Sequence, residues 1–264
     1  MNSSLAPAAV VGLFGLVFGS FATVLTSRVP RNISIITPNS RCQNCGVPIP
    51  RRNLIPILSY LLLRGKTSCC NTSLNWQYPL IELVTAILFI VSYGAAGTSL
   101  KLVSVLILAI LTMPLALTDI AEHRLPNALT YAGFLAGVSA SIIISISERS
   151  IAPFRDSLLL AFISGLCFLG LNLISRGGMG MGDVKLAAML GALLAPFGWS
   201  TLLTGFIFAF FLGATIGLLL LLFKKATRKT LIPFGPYMLL GSWIALSIGS
   251  QSCQQIINLW SLKG

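Results

Sequence analysis

Two aspartates stand where this sequence could carry out hydrolysis. The chain holds 6 acidic residues among 264. Four of them, Glu82, Asp119, Glu122 and Asp183, fall at the edges of long apolar runs. Asp119 closes the run Met113-Pro114-Leu115-Ala116-Leu117-Thr118 and precedes Pro126-Asn127. Asp183 opens another run, within Gly180-Met181-Gly182-Asp183-Val184-Lys185. Two carboxylates at one site cannot both ionise cheaply, so the pair holds a single proton. The ionised member then draws a proton from water while the protonated member polarises a peptide carbonyl. Such a pair titrates as a unit, and spacing does not assign the two roles. A second reading fits the same residues. Asp is a good N-cap, and Asp183 stands at the start of a helix. Spacing alone does not choose between dyad and cap.

Other hydrolytic apparatus is missing. His123 is the only histidine and lies in a short loop beside Glu122 and Arg124, as a solvated side chain would. A Ser-His-Asp hydrolase needs a positioned imidazole, and no His-Glu-x-x-His pair is present for a zinc protease. Glycines 177, 178, 180 and 182 precede Asp183, and a bend free of side chains would leave room for an extended substrate. Glu82 follows Trp76-Gln77-Tyr78-Pro79, an interfacial sequence, and is open to either a headgroup position or a role in a site.

Four of the six cysteines crowd into one polar segment as Cys42-Gln43-Asn44-Cys45 and, after 23 intervening residues, Cys69-Cys70. Paired Cys-x-x-Cys knuckles at this separation signal zinc, but Thr67 stands where the second knuckle would place its first cysteine. The preferred reading is a zinc site in which Cys42, Cys45 and Cys70 supply three thiolates and Cys69 or water the fourth ligand. The alternative is a metal-free loop with reduced thiols.

The elements that must position these residues are membrane spans. Apolar residues make up 55% of the chain and charged residues 9%, against roughly 25% charged in a soluble domain, too few to cover a water-facing surface. A bilayer core needs about 20 apolar residues in a helix. Eight segments qualify, at about 6–27, 79–95, 101–118, 128–147, 157–174, 184–198, 200–223 and 232–250, the sixth being short. The expected fold is an all-α polytopic membrane protein with about eight transmembrane helices and a small cytoplasmic Cys-containing domain. Met1 to Leu13 carry no Lys or Arg, so the first run is expected to stay as a span rather than be removed.

Net charge is +12, from 18 Lys and Arg against 6 acids. The basic residues sit between apolar runs, where topology accounts for them, so no nucleic-acid partner is expected. Segment 28–76 contains seven of them and no acid, which marks it as cytoplasmic. Alternation through eight spans then places fourteen of the 18 on that side. Lys101, Arg149, Arg155 and Lys263 are the four on the other. Asp119 and Asp183 both fall at the cytoplasmic end. The apolar stretch Leu54 to Leu63 is too short to span and suits the interface.

The ordered set of motifs resembles the type IV prepilin peptidases (leader peptidase and N-methyltransferase), which are intramembrane aspartic peptidases with a Gly-x-Gly-Asp signature. The matching pieces are Phe18-Gly19-Ser20-Phe21, Arg28-Val29-Pro30, Cys42-x-x-Cys45, Ile55-Pro56-Ile57-Leu58-Ser59-Tyr60, Arg64-Gly65-Lys66 and Tyr78-Pro79-Leu80-Ile81-Glu82. Asp119 with Leu125-Pro126-Asn127, and Gly180-x-Gly182-Asp183-Val184-Lys185-Leu186, complete the series over roughly 220 residues. The resemblance implies that Asp119 and Asp183 are catalytic. It further implies a type IV prepilin or pseudopilin as substrate, cut after its short basic leader on the cytoplasmic side of the bacterial inner membrane. It also implies methylation of the new N-terminus from S-adenosylmethionine. Residues 1–78 would then hold the first span and the methyltransferase-associated Cys domain, and 79–264 the peptidase. The family usually has Asn where Thr23 stands and Cys where Thr67 stands, two departures that both lie in the N-terminal part linked to methyl transfer and metal binding. The competing readings are an intramembrane aspartic peptidase acting on another small membrane protein without methylation, and a membrane scaffold or transporter without catalysis.

Overall fold

The computed structural model describes residues 5–37, 39–42, 44–175, 179–224 and 232–261, without the side chains of residues 5, 51 and 250–261. Each expected span is a helix. α1 runs Leu5–Arg28, and a 3₁₀ turn (Arg51–Leu54) and the short α2 (Leu58–Leu62) follow in the polar segment. α3 is Gln77–Ala96, α4 Lys101–Glu122, α5 Asn127–Glu148 and α6 Ala152–Ile174. α7 is Met181–Leu194, continued by a 3₁₀ turn at Ala195–Phe197. α8 is Trp199–Leu222 and α9 Gly235–Ser261. Among the described residues six of them, α1, α3, α4, α5, α6 and α8, are long and apolar enough to cross a membrane. α7 is short as expected: its 14 residues reach only about 21 Å. No strand occurs among the described residues, only isolated bridges at Arg41–Pro48 and Lys66–Ser73.

Local chemistry sets the helix ends. α4 stops at His123 and α5 at Arg149, both in the left-handed region (φ 50° and 51°). Pro126 is extended, which separates α4 from the first turn of α5. Of the apolar stretch 54–63, little more than one turn becomes helical.

The chain divides into two compact units. Unit 1 comprises Met1–Tyr93 with Ala109–Pro114. Within it α1 lies against α3 at backbone distance. A Cβ added to Gly15 would stand 2.6 Å from Ala86 Cα, and one added to Gly19 2.6 Å from Glu82 Cα. Small residues permit this approach, which replaces the hydrophobic effect as the source of helix association in lipid. Phe18 stacks on Phe89 beside them, ring centroids 5.6 Å apart.

Unit 2 comprises Gly94–Leu108 with Leu115–Gly264. α7 is its core: Leu186, Ala187, Met189, Leu190, Leu193 and Leu194 have no exposed surface. α5 and α6 pack on α7, and α8 pairs with α9. Ser164 and Ser157 of α6 donate to the α7 carbonyls of Ala187 (2.9 Å) and Ala192 (3.3 Å). A helix apolar on every side is one buried on every side. The outer faces carry Leu135, Phe162, Ile207 and Phe211, each more than 60% exposed. Such surfaces need lipid, and the chain is a multi-pass membrane protein.

Gly191 tests the α6–α7 contact. A Cβ there would lie 2.6 Å from the Leu160 carbonyl oxygen, whereas one at Gly170 meets nothing within 4 Å. Gly191→Ala should therefore destabilise the chain by about 1–3 kcal/mol. Gly170→Ala should be neutral or stabilise it by up to about 1 kcal/mol. Thermal unfolding in detergent measures both, and equal midpoints for the two variants would refute the close contact.

Candidate active site

Asp119 occupies the last turn of α4 and Asp183 the first turn of α7, both in unit 2. Their exposures are 6% and 7%. A bare carboxylate at such burial is costly unless hydrogen-bonded. Each is satisfied through one oxygen. Asp119 Oδ2 accepts the Gly235 N–H (2.9 Å), which comes from the first residue of α9, 116 positions away. Asp183 Oδ2 accepts the Gly180 N–H (3.2 Å) one turn back, a cap of its own helix. The Oδ1 atoms of both residues have no hydrogen-bond donor among the described residues.

Leu125 ties these anchors together. A Cβ on Gly182 would touch Leu125 Cβ at 3.2 Å, and one on Gly235 would touch Leu125 Cδ2 at 3.4 Å and Asp119 Oδ2 at 2.7 Å. The glycine before Asp183 and the glycine that holds Asp119 thus flank one leucine side chain. A side chain on Gly235 would push Asp119 aside, and one on Gly182 would press on Leu125. The two carboxylates are close enough to act on each other electrostatically. Lys185 fixes the same helix end. Its Nζ donates to Asn127 Oδ1 (2.8 Å) and stands 5.7 Å from the Tyr131 ring centroid. The motifs around residues 119, 125–127 and 180–186 therefore meet in space. Gly177 and Gly178 lie outside the described residues.

The other charged candidates fall away. His123 caps α4, is exposed, and donates its backbone N–H to the Asp119 carbonyl. Glu122 and Glu148 are exposed. Asp156 is held in an exposed pair with Arg155 (2.8 Å). Sequence reasoning had not found Gly235. The signal was Phe234-Gly235-Pro236 at the head of the last span, a Gly-Pro turn at a helix start.

The four cysteines of unit 1 converge. The Sγ atoms of Cys42, Cys45, Cys69 and Cys70 lie within 4.8 Å of one another. Cys42–Cys70 is 3.6 Å, Cys45–Cys69 3.3 Å and Cys69–Cys70 3.9 Å. A tetrahedron with Zn–S of about 2.3 Å has S···S edges of about 3.8 Å, so the donor set fits zinc. The two halves share a turn geometry. Cys42 N–H donates to Val47 O and Gly46 N–H to Cys42 O; Thr67 N–H donates to Thr72 O and Asn71 N–H to Thr67 O. Gly46 and Asn71 have φ of 72° and 57° at equivalent places. Thr67 therefore stands where a knuckle cysteine would, its Oγ1 3.2 Å from Cys70 Sγ, and Cys69 supplies the fourth sulfur. Hydrogen bonds from Thr67, Thr72 and Asn44 lower the Cys70 thiol to about 5. Hydrogen bonds from the backbone of Cys45 and Asn44 lower Cys42. The bond with Cys45, with desolvation, raises Cys69 to about 12.

Glu82 in unit 1 is also buried, at 8% exposure. Its Oε2 accepts the Ile57 N–H (2.7 Å), so it does not project into headgroups.

Comparison with known proteins agrees with this anatomy. Residues 13–95 match the bacterial peptidase A24 N-terminal domain, and residues 102–218 match the type IV leader peptidase family. The chain is 38% identical over 215 residues to the prepilin leader peptidase/N-methyltransferase of Myxococcus xanthus, covering 80% of this chain and 62% of that protein, just under two thirds. It is 34% identical over 241 residues to the Bacillus subtilis protein of the same name, covering 91% and 94%. With that of Pseudomonas aeruginosa it shares 30% identity over 274 residues, covering 95% and 93%. No solved structure matches. Family domains in sequence order, and two of these relatives aligned over more than nine-tenths of their length, leave one assignment: the chain belongs to the type IV leader peptidase family.

Proposed function

We propose that this protein removes the N-terminal leader of type IV prepilins or pseudopilins and then methylates the exposed amine. Cleavage is assigned to Asp119 and Asp183. One observation carries that assignment: two buried carboxylates of one unit are positioned by glycines that flank the same leucine, Gly182 before Asp183 and Gly235 bonded to Asp119, and each keeps an oxygen uncommitted. The ionised carboxylate takes a proton from water, the other donates to the scissile carbonyl, and the proton count is restored as the amine leaves. Gly180 and Gly235 N–H groups hold the far oxygens still through the cycle.

Residues 79–264 form the peptidase in this reading, and residues 1–78 the metal-binding part associated with methyl transfer. The positive-inside bias puts the Cys segment and both aspartates on the cytoplasmic side of the inner membrane, where a basic leader is presented. S-adenosylmethionine is the methyl donor. Zinc is the metal, held by Cys42, Cys45, Cys69 and Cys70; four thiolates close its coordination, which makes it structural rather than catalytic.

Asp119→Asn and Asp183→Asn should each lower cleavage of a prepilin, in a purified detergent assay, by at least about 10³-fold. Their unfolding midpoints should stay near that of the unchanged chain, because an amide oxygen can still accept the backbone N–H. Cleavage at the original rate by either variant would overturn the dyad.

Metal analysis of the purified chain should find about one zinc per molecule, lost in Cys42→Ser with Cys45→Ser. Cys69→Ser should weaken retention against a chelator, since Thr67 offers no thiolate. A folded, active preparation without metal would refute the site.

A further inference from the structure

Three sequence motifs are not used by the aspartate pair, and they converge on Glu82. Gly19-Ser20 of α1 is the first. Gly19 admits α1 to backbone contact with Glu82, 2.6 Å from its Cα to an added Cβ, and Ser20 directs its hydroxyl at the carboxylate. The second is Pro56-Ile57-Leu58. Ile57 has φ 58° and ψ −49°, rare for a β-branched residue, and the Leu58 N–H turns back to the Pro56 carbonyl. That strained turn delivers the Ile57 N–H to Glu82 Oε2 at 2.7 Å. The third is Tyr78 to Glu82 itself, in the first turns of α3. All three lie in unit 1.

Strained backbone persists where its surroundings hold it, and it gathers at functional sites. Glu82 is more than nine-tenths buried and pairs with no Lys or Arg among the described residues; its carboxylate is met only by neutral donors, the Ile57 N–H and the Ser20 hydroxyl. A buried carboxylate with neutral donors and no fixed cation suits a ligand that brings a positive N–H group. We infer that Glu82, steadied by Ser20 and the Ile57 amide, is the amine site of a methyl transfer. It binds the primary ammonium of the processed substrate and takes its proton. This rests on the methylating activity proposed above.

The step balances. The ammonium gives one proton to the Glu82 carboxylate and becomes an amine. The nitrogen lone pair then attacks the methyl carbon of a sulfonium donor. An N–C bond forms, the C–S bond breaks, and its electron pair stays on sulfur as a neutral thioether. The product is a secondary ammonium, and Glu82 releases its proton to water.

The test supplies the full-length purified chain with a pre-cut pilin and S-adenosylmethionine, and weighs the N-terminus by mass spectrometry. Glu82→Gln should methylate about 100-fold more slowly near pH 6.5. The deficit should shrink to under about 10-fold near pH 9, above the α-amine's ordinary value of about 8, where free amine needs no base. The same variant should cut intact prepilin at close to the original rate. Because the substrate arrives pre-cut, the readout does not pass through Asp119 or Asp183, and failure of the cleavage assignment would appear only in the other assay. Unchanged methylation at pH 6.5, or a loss of equal size at every pH, would overturn the role of Glu82.

Discussion

Each buried carboxylate is held by one backbone N–H. Gly235 holds Asp119, Gly180 holds Asp183 and Ile57 holds Glu82. The reason is the medium. Away from water an unpaired carboxylate is costly, and a Lys or Arg partner would bring a second charge with its own desolvation cost. A peptide amide solves the problem without adding charge. It can be spared only where the chain leaves regular helix, because helical N–H groups are already spent. The acids therefore sit beside helix starts and a strained turn, and the irregular backbone of this protein is placed by them.

Close helix approach follows from the same requirement. An amide reaches across about 3 Å, so the elements carrying donor and acceptor must come to near contact. Gly19 does this for Glu82, and Gly182 and Gly235 do it around Leu125. α7 is the extreme case. It is too short to span, it is covered on all sides, and Asp183 sits in its first turn. A helix of that length can bring a carboxylate to the level where α4 ends without carrying it out into the lipid face.

Much of this was legible from the sequence, and the legible part has a common cause. Long apolar runs fix spans because lipid allows no other backbone arrangement, and all eight expected segments are helical. Cys42-x-x-Cys45 was equally readable, since ligand spacing is local. The fourth sulfur was not. Cys69 adjoins Cys70, and only the turn that makes Thr67 match Cys42 shows Cys69 completing the set. Asp119 and Asp183 could be named from their runs, but their anchors could not. Gly235 lies 116 residues from its partner, and no periodicity links them. Glu82 resisted for a third reason. A lone carboxylate near tryptophan and tyrosine reads as interfacial, and Ile57 lies in an apolar stretch that carries no turn signal beyond Pro56.

A cap and a chemical group are usually weighed as alternatives for an aspartate at a helix start. Here the two are compatible. A carboxylate has two oxygens and about four lone-pair directions, and capping uses one. Asp183 Oδ2 closes the first turn of α7, which fixes the rotamer and leaves Oδ1 in a set direction. Asp119 is held the same way from α9. For a pair that must share one proton, fixed direction is what matters, because the proton can be shared only between oxygens that stay put. The structural role is then the means by which the chemical one becomes possible. The same reasoning covers Glu82, whose carboxylate is fixed by the Ile57 N–H and the Ser20 hydroxyl without a second charge beside it.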